Sequence, residues 1–228
     1  YFLEMGASLR GSQVVYDRNN SSFSSIQPGM TDWDEVLEGV DWFHWTGITP
    51  AVSESSALVC EEALKVAQSK GITISCDLNY RAKLWKWGQK ASEVMPRLVQ
   101  YCSVAIGNEE DADKVFGISA PETDVKKGVV SAEKYQFVCR ELASRFSNLN
   151  KIAITLRGSL SASHNTWSAV LWDNGNFHQG MQLGIEPIVD RVGGGDAFAG
   201  GLIFGLHQNM DSQNALNFAI CASGIKHT

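Results

Sequence analysis

The run Asp190-Arg191-Val192-Gly193-Gly194-Gly195-Asp196-Ala197-Phe198 ends three consecutive glycines at a carboxylate, just where an apolar helical pattern through Phe198, Leu202, Ile203 and Leu206 begins. Glycine allows positive φ and lets a ligand come close to backbone N–H groups. The first turn of the helix that follows aims its own unpaired N–H groups and positive dipole end at the same spot. Such a turn would stabilise an oxyanion or a phosphoryl group, with Asp196 beside it as a base. The plainer alternative is a loop in which Asp196 only caps the helix, a common task for Asp. A Walker-type loop is excluded because no Gly-Lys-Ser/Thr is present, and a dinucleotide fingerprint because Phe198 fills its third glycine position.

Three further polar segments could meet a ligand. Asp77-Leu78-Asn79-Tyr80-Arg81 follows the apolar run Ile72 to Asp77, which reads as a buried strand. In open parallel sheets, ligands bind beyond the carboxyl ends of strands. Arginine there suits a carboxylate, to which its planar fork can donate two parallel hydrogen bonds. Val15-Tyr16-Asp17-Arg18, followed by Ser21-Ser22, is a second segment that carries an aromatic and a cation. Asn108-Glu109-Glu110-Asp111 opens a helix after a strand ending at Ile106. Acidic residues in a first helical turn can simply complement the dipole, or can hold a hard cation. The five histidines show no metal spacing and read as structural or exposed, and the seven tryptophans read as core and rim packing.

The elements that must position these groups alternate between short β-rich runs and helical periodicity from residue 50 to 160, the pattern of a parallel sheet covered by helices. Helices are expected at Ser53 to Ser69 with Ser53 as cap, Ala91 to Gln100, Glu109 to Phe116 and Ala132 to Phe146. Strands are expected at Ile72 to Asp77, Ser103 to Ile106 and Lys151 to Leu156. Gly47 to Ala51 reads as a structural turn. Ser168 to Trp172, Asn176 to His178 and Glu186 to Val189 read as strands, and Asp173-Asn174-Gly175 is a hairpin signal, so the sheet should end antiparallel. Residues 1–30, with a strand at Ser12 to Tyr16 and a Ser/Asn cluster at 19–25, read as a small lid and its junction. Residues 31–228 read as the main domain.

The segment around Asp196 resembles the Asp-Thr-x-Gly-Ala-Gly-Asp signature of the ribokinase/PfkB family of sugar kinases, with Arg191 in the Thr position and Gly194 in the Ala position. The resemblance implies an α/β fold, a three-layer α/β/α sandwich with a mostly parallel central sheet and a small β lid that is incomplete in this chain. It also implies that Asp196 is the catalytic base and that Gly193, Gly194 and Gly195 form the anion hole. Asp77-x-Asn79-x-Arg81-x-x-Leu84-Trp85 is similar to the sugar-site segment of the family's 2-dehydro-3-deoxygluconate kinases. Tyr16 and Arg18 are similar to the pair with which those kinases hold the sugar acid, so Tyr16, Arg18, Asn79 and Arg81 are the implied substrate contacts. Asn108 to Asp111 resembles the family's Asn-x-x-Glu motif, which implies magnesium near Asp111 or Glu110, through water, and nucleotide contact at Asn108. Thr155-Leu156-Arg157-Gly158 resembles the turn that approaches ATP, and the helix through Phe218, Ala219, Ala222 and Ser223 falls where relatives close the adenine pocket. Asp190 would shape a loop that in relatives often holds a monovalent cation, so potassium (K+) joins ATP and Mg2+ among the expected cofactors.

The expected activity is therefore ATP-dependent phosphorylation of a sugar acid, 2-dehydro-3-deoxygluconate. A kinase of a neutral sugar such as fructose or ribose, and a sugar- or nucleotide-binding module without turnover, are the alternatives. The 228 residues carry a net charge of −6 and no run of Lys or Arg, so neither a nucleic-acid nor a membrane partner is expected. Five cysteines without Cys-x-x-Cys spacing argue against a disulfide framework and for a reducing, cytoplasmic compartment. The family resemblance implies a homodimer or higher homo-oligomer formed through the lids. It also leads us to expect a chain truncated at both ends, because relatives begin with further sheet elements.

Overall fold

The computed structural model describes residues 2–4, 6, 10–11, 13–18, 21–108, 110–119, 132–159, 161 and 163–228. Strands and helices follow one another as β1 (Phe2–Glu4), β2 (Gln13–Val15), α1 (Trp33–Val36), β3 (Trp42–Thr46), α2 (Ile48–Val52), α3 (Glu54–Ser69), β4 (Thr73–Asp77), α4 (Ala91–Val99), β5 (Val104–Asn108) and α5 (Asp111–Phe116). The order continues with α6 (Ala132–Arg145), β6 (Lys151–Ser159), β7 (Asn165–Asp173), β8 (Asn176–Gln179), β9 (Leu183–Ile185), α7 (Gly194–His207) and α8 (Ser212–Lys226). By their internal contacts the described residues divide into two compact units, one within 16–119 and 141–151, the other within 2–15, 132–140 and 152–228.

In the first unit, β3, β4 and β5 are parallel neighbours, with Thr46 beside Asp77 and Asp77 beside Ile106, so their carboxyl ends finish together. Their inner residues form near-continuous apolar runs, as strands covered on both faces require: Ile74, Cys76, Val104, Ala105 and Ile106 are all buried. α3 begins as its sequence suggests. Ser53 accepts from the Ser56 amide and Ser56 Oγ accepts from the Ser53 amide, a reciprocal cap worth about 1 kcal/mol. Gly47 to Ala51, expected as a turn, instead enters the short helix α2, whose Pro50 and Ala51 are buried.

In the second unit, β7 pairs antiparallel with β8 across Asn174-Gly175, where both residues have positive φ, as a two-residue hairpin turn requires. β9 pairs with β7 as well, also antiparallel. The strand expected at Glu186 to Val189 is displaced to Leu183–Ile185. Pro187 has no N–H to give a ladder, the Ile188 amide goes to the Ser163 carbonyl, and the Val189 amide goes to the His227 carbonyl. β1 and β2 form a separate two-stranded antiparallel pair.

α7 and α8 pack closely against each other. A Cβ added at Gly201 would lie 3.0 Å from the Ala219 Cα, and one at Gly205 would lie 2.9 Å from the Ala215 Cβ. Small residues on both faces thus let the two backbones approach, while Phe198, Leu202, Leu216 and Ile220 are fully buried. This close packing brings the end of α8 to the start of α7. None of the described helices is long and apolar enough to cross a membrane. All five cysteines are free thiols, and burial pushes the Cys139 thiol up to about 12.

Candidate active site

The turn before α7 is built from glycine geometry. Gly193 has φ 79°, a left-handed conformation that Cβ-bearing residues rarely adopt, and it occupies the N-cap position of α7. Gly194, Gly195 and Asp196 are the first three helical residues, and Ala197 N makes the first bond of the helix, to Gly193 O at 2.8 Å. The amides ahead of Ala197 are those a helix cannot satisfy itself, although Gly194 N makes a long 3.4 Å contact with Arg191 O. Asp196 is therefore not the helix cap. It stands in the first turn with an exposed carboxylate that makes no hydrogen bond or ion pair with the described residues.

The end of α8 braces this turn. Ser223 Oγ donates to Gly194 O at 2.7 Å, and both residues are buried. His227 is buried against Gly194 and Trp167, its ring centroid 5.4 Å from that of Trp167. The Ser223 carbonyl, 2.7 Å from His227 Nδ1, can only accept, so Nδ1 carries the proton. A Cβ at Gly194 would lie 2.7 Å from His227 Nε2 and nearer still to Cε1. The departure from the signature's Ala thus has a physical reason, because the imidazole occupies the space a methyl would need. Asp190 accepts from the Val192 amide at 2.9 Å through one oxygen and from Lys226 Nζ at 2.9 Å through the other.

Arg191, the other departure from the signature, reaches Ser161 O at 3.2 Å and Asn165 Oδ1 at 3.4 Å. Burial, and then the charge of neighbouring Arg157, lowers its pKa. Arg157 itself is exposed near the end of β6, Thr155 is buried two residues earlier, and Gly158 lies against the Thr166 side chain.

In the first unit, the carboxyl ends of β4 and β5 are stapled by a buried carboxylate. Asp111 Oδ1 accepts from the Tyr80 amide at 3.1 Å and Oδ2 from the Asn108 amide at 2.8 Å. Asn108 Oδ1 in turn accepts from the amides of Glu110 and Asp111, at 2.8 and 3.1 Å, which closes a reciprocal cap at the start of α5. Burial raises the Asp111 pKa against the opposing pull of these two amides. Glu110 is exposed. No three His, Cys, Asp or Glu side chains among the described residues form a cluster able to hold a metal ion.

On the same strand ends, Asn79 adopts φ 40°, its backbone amide donates to Asp77 Oδ1 at 3.1 Å, and its side-chain NH2 donates to Thr46 Oγ1 at 3.1 Å. Arg81 donates to the Tyr80 carbonyl at 2.8 Å. Tyr16 and Arg18 are brought together, the guanidinium carbon 5.9 Å from the ring centroid. Arg18 Nε is buried without a hydrogen-bond partner among the described residues. Among the expected residues the structure thus groups Gly193 to Asp196 with Asp190, Asn108 with Asp111, and Tyr16 with Arg18, while Asn79 and Arg81 bond to different neighbours beyond the end of β4.

Lys226, His227 and Thr46 are supporting residues that sequence reasoning missed, as it missed the bond by which Ser223, read only as part of the helix near the adenine pocket, holds Gly194. For His227 a signal existed, since glycine in the signature's Ala position leaves room for a bulky neighbour.

The chain matches the sequence profile described as pfkB family carbohydrate kinase over residues 7–227, and it belongs to that family. Its fold is the ribokinase-like α/β fold. The crystal structure of 2-dehydro-3-deoxygluconokinase from Thermotoga maritima is similar at 46% identity and a TM-score of 0.91, covering 100% of this chain and 67% of that one. A 2-dehydro-3-deoxygalactonokinase of Haloferax volcanii is 26% identical over 100% of this chain and 64% of its own length. A 2-dehydro-3-deoxygluconokinase of Thermoproteus tenax is 26% identical over 99% of this chain and 61% of its own length. The chain thus spans under two thirds of the length of these two curated relatives.

Proposed function

We propose that the protein is an ATP-dependent kinase that phosphorylates the terminal hydroxyl of 2-dehydro-3-deoxy-D-gluconate. The observation that carries this reading is the exposed, unpaired carboxylate of Asp196 in the first turn of α7, directly behind the left-handed Gly193. Asp196 accepts the proton of the attacking hydroxyl, and the amides of Gly193 to Gly195 stabilise charge on the transferring phosphoryl oxygens. Thr155, Arg157, Gly158 and Asn108 are the proposed nucleotide contacts. Magnesium fits as an ion that ATP brings with it, since Mg2+ keeps several waters and is held largely by substrate phosphates. Asp111 has both oxygens on backbone amides, so water between ion and carboxylate is the arrangement its geometry favours.

For the sugar acid, Tyr16, Arg18, Asn79 and Arg81 are the proposed contacts. The orphaned Arg18 Nε supports this, because a buried unpaired donor costs about 1–3 kcal/mol, which a bound carboxylate would recover. The similarity to the Haloferax volcanii 2-dehydro-3-deoxygalactonokinase favours testing the galactonate epimer as a second substrate.

The test is ATP consumption by the purified protein with magnesium, offered 2-dehydro-3-deoxygluconate, its galactonate epimer, gluconate, fructose and ribose. Preference for either keto-deoxy acid is the expected result. Equal or better use of fructose or ribose would overturn the sugar-acid site while leaving a kinase. Binding without turnover of any sugar would favour a binding module.

A further inference from the structure

We propose that the Lys226 ammonium is the resident cation of the turn preceding α7, so that this turn works without a bound monovalent metal ion; the inference rests on the kinase reading of that turn. Potassium held in such a loop needs several free oxygens, the Asp190 carboxylate first among them. In this chain the Asp190 carboxylate and two neighbouring carbonyls already accept hydrogen bonds or an ion pair. Asp190 Oδ2 holds Lys226 Nζ at 2.9 Å, and Oδ1 accepts the Val192 amide at 2.9 Å. The His227 carbonyl accepts from Val189 N at 2.9 Å and Asp190 N at 3.5 Å. The Gly194 carbonyl accepts from Ser223 Oγ at 2.7 Å.

The ammonium is also placed as a loop cation should be. Its Cε lies 3.6 Å from where a Cβ of Gly193 would sit, so the charge lies along the turn whose amides are proposed to face the phosphoryl group. A lysine ammonium carries the same unit charge as K+ on a tether, with three donors that can reorient among oxygens. A metal ion at the same carboxylate would have to displace the ammonium or sit beside a like charge. The Asp190 carboxyl is held below its ordinary value by the Val192 amide and then by Lys226, in keeping with a carboxylate already paired. The chain therefore differs from a loop that borrows its cation from solution.

The experiment compares the purified protein with Lys226→Met in potassium, sodium and tetramethylammonium chlorides at equal ionic strength. Two readouts are taken, the melting temperature without substrate and the phosphorylation rate. The wild type is expected to melt at the same temperature and to turn over within about twofold in all three salts. Lys226→Met is expected to lose roughly tenfold or more in tetramethylammonium, on the scale of losing one charge-stabilising group, and to regain rate and melting temperature when potassium is supplied. A wild type that potassium activates or stabilises several-fold over tetramethylammonium would overturn the inference. So would a Lys226→Met protein that behaves as wild type in tetramethylammonium, or whose losses potassium does not restore. If no sugar is phosphorylated at all, the kinase reading fails, while the salt dependence of melting still decides the role of Lys226.

Discussion

The turn at 189–196 and the bracket at 108–111 both place an aspartate in the first turn of a helix, yet the two carboxylates live opposite lives. Asp196 is exposed and has no partner among the described residues beside its glycine turn, whereas Asp111 is 3% exposed with each oxygen on a backbone amide. The difference separates a group available for proton transfer from one committed to holding strand ends. Position in the helix does not decide it, since both sit where the dipole favours a negative charge. Burial and partners decide it.

The largest effect that sharpens this contrast is Asp196→Asn. Turnover should fall at least about a hundredfold, the scale of general-base catalysis, with KM and melting temperature little changed. Turnover near wild type would remove the base role from Asp196 and erase the contrast. The mirror experiment, Asp111→Asn, should act mainly on stability, because the amide offers one acceptor where the carboxylate offered two. A loss of about 1–3 kcal/mol in urea unfolding is expected, the cost of leaving a buried amide unpaired.

Within the turn, neighbouring glycines should also behave unequally. Gly194→Ala drives a methyl into the His227 ring and should cost about 1–3 kcal/mol, as overpacking does. Gly195→Ala meets nothing within 4 Å and should be close to neutral. Adding His227→Ala to Gly194→Ala should recover part of the loss. Simple additivity of the two changes in thermal melting would show that the ring is not what excludes the methyl.

The α/β class, the capped helix α3, the parallel strands β4 and β5 and the Asn174-Gly175 hairpin were legible because local periodicity and turn chemistry act over a few residues. The glycine turn and Asp196 were legible for the same reason, as a contiguous run. What escaped depends on contacts between residues distant in sequence: Lys226 on Asp190 lies 36 residues away, and Ser223 on Gly194 lies 29 away. The misplaced strand at 186–189 failed similarly, because its amide donors go to loop carbonyls at Ser163 and His227 that no local pattern announces. By resemblance, Asn108 and Asp111 read as a nucleotide and metal motif. Their reciprocal cap could have been read from the Asn-x-x-Asp spacing, but the third partner, the Tyr80 amide, comes from another strand end.

The smallest expected effect is also the most discriminating, because the two buttressed carboxylates should respond to acid with opposite sign. Burial keeps Asp111 above its ordinary value, so its contribution to stability is full below the unfolded pKa, about 3.9, and is lost as pH rises through the folded value. Asp190 is held low by the Val192 amide and by Lys226, so its contribution is present above the unfolded pKa and is lost as pH falls through the folded value. Between pH 7 and pH 3 in urea unfolding, the stability gap between wild type and Asp190→Asn should therefore close, while the gap for Asp111→Asn should widen. Solvent and salt screen the half-exposed Asp190–Lys226 pair, so added salt should shrink the first gap and leave the second almost untouched. If both gaps closed together on acidification, the Asp111 carboxylate would be stabilised by its amides more than it is penalised by burial, and the bracket would resemble the turn after all.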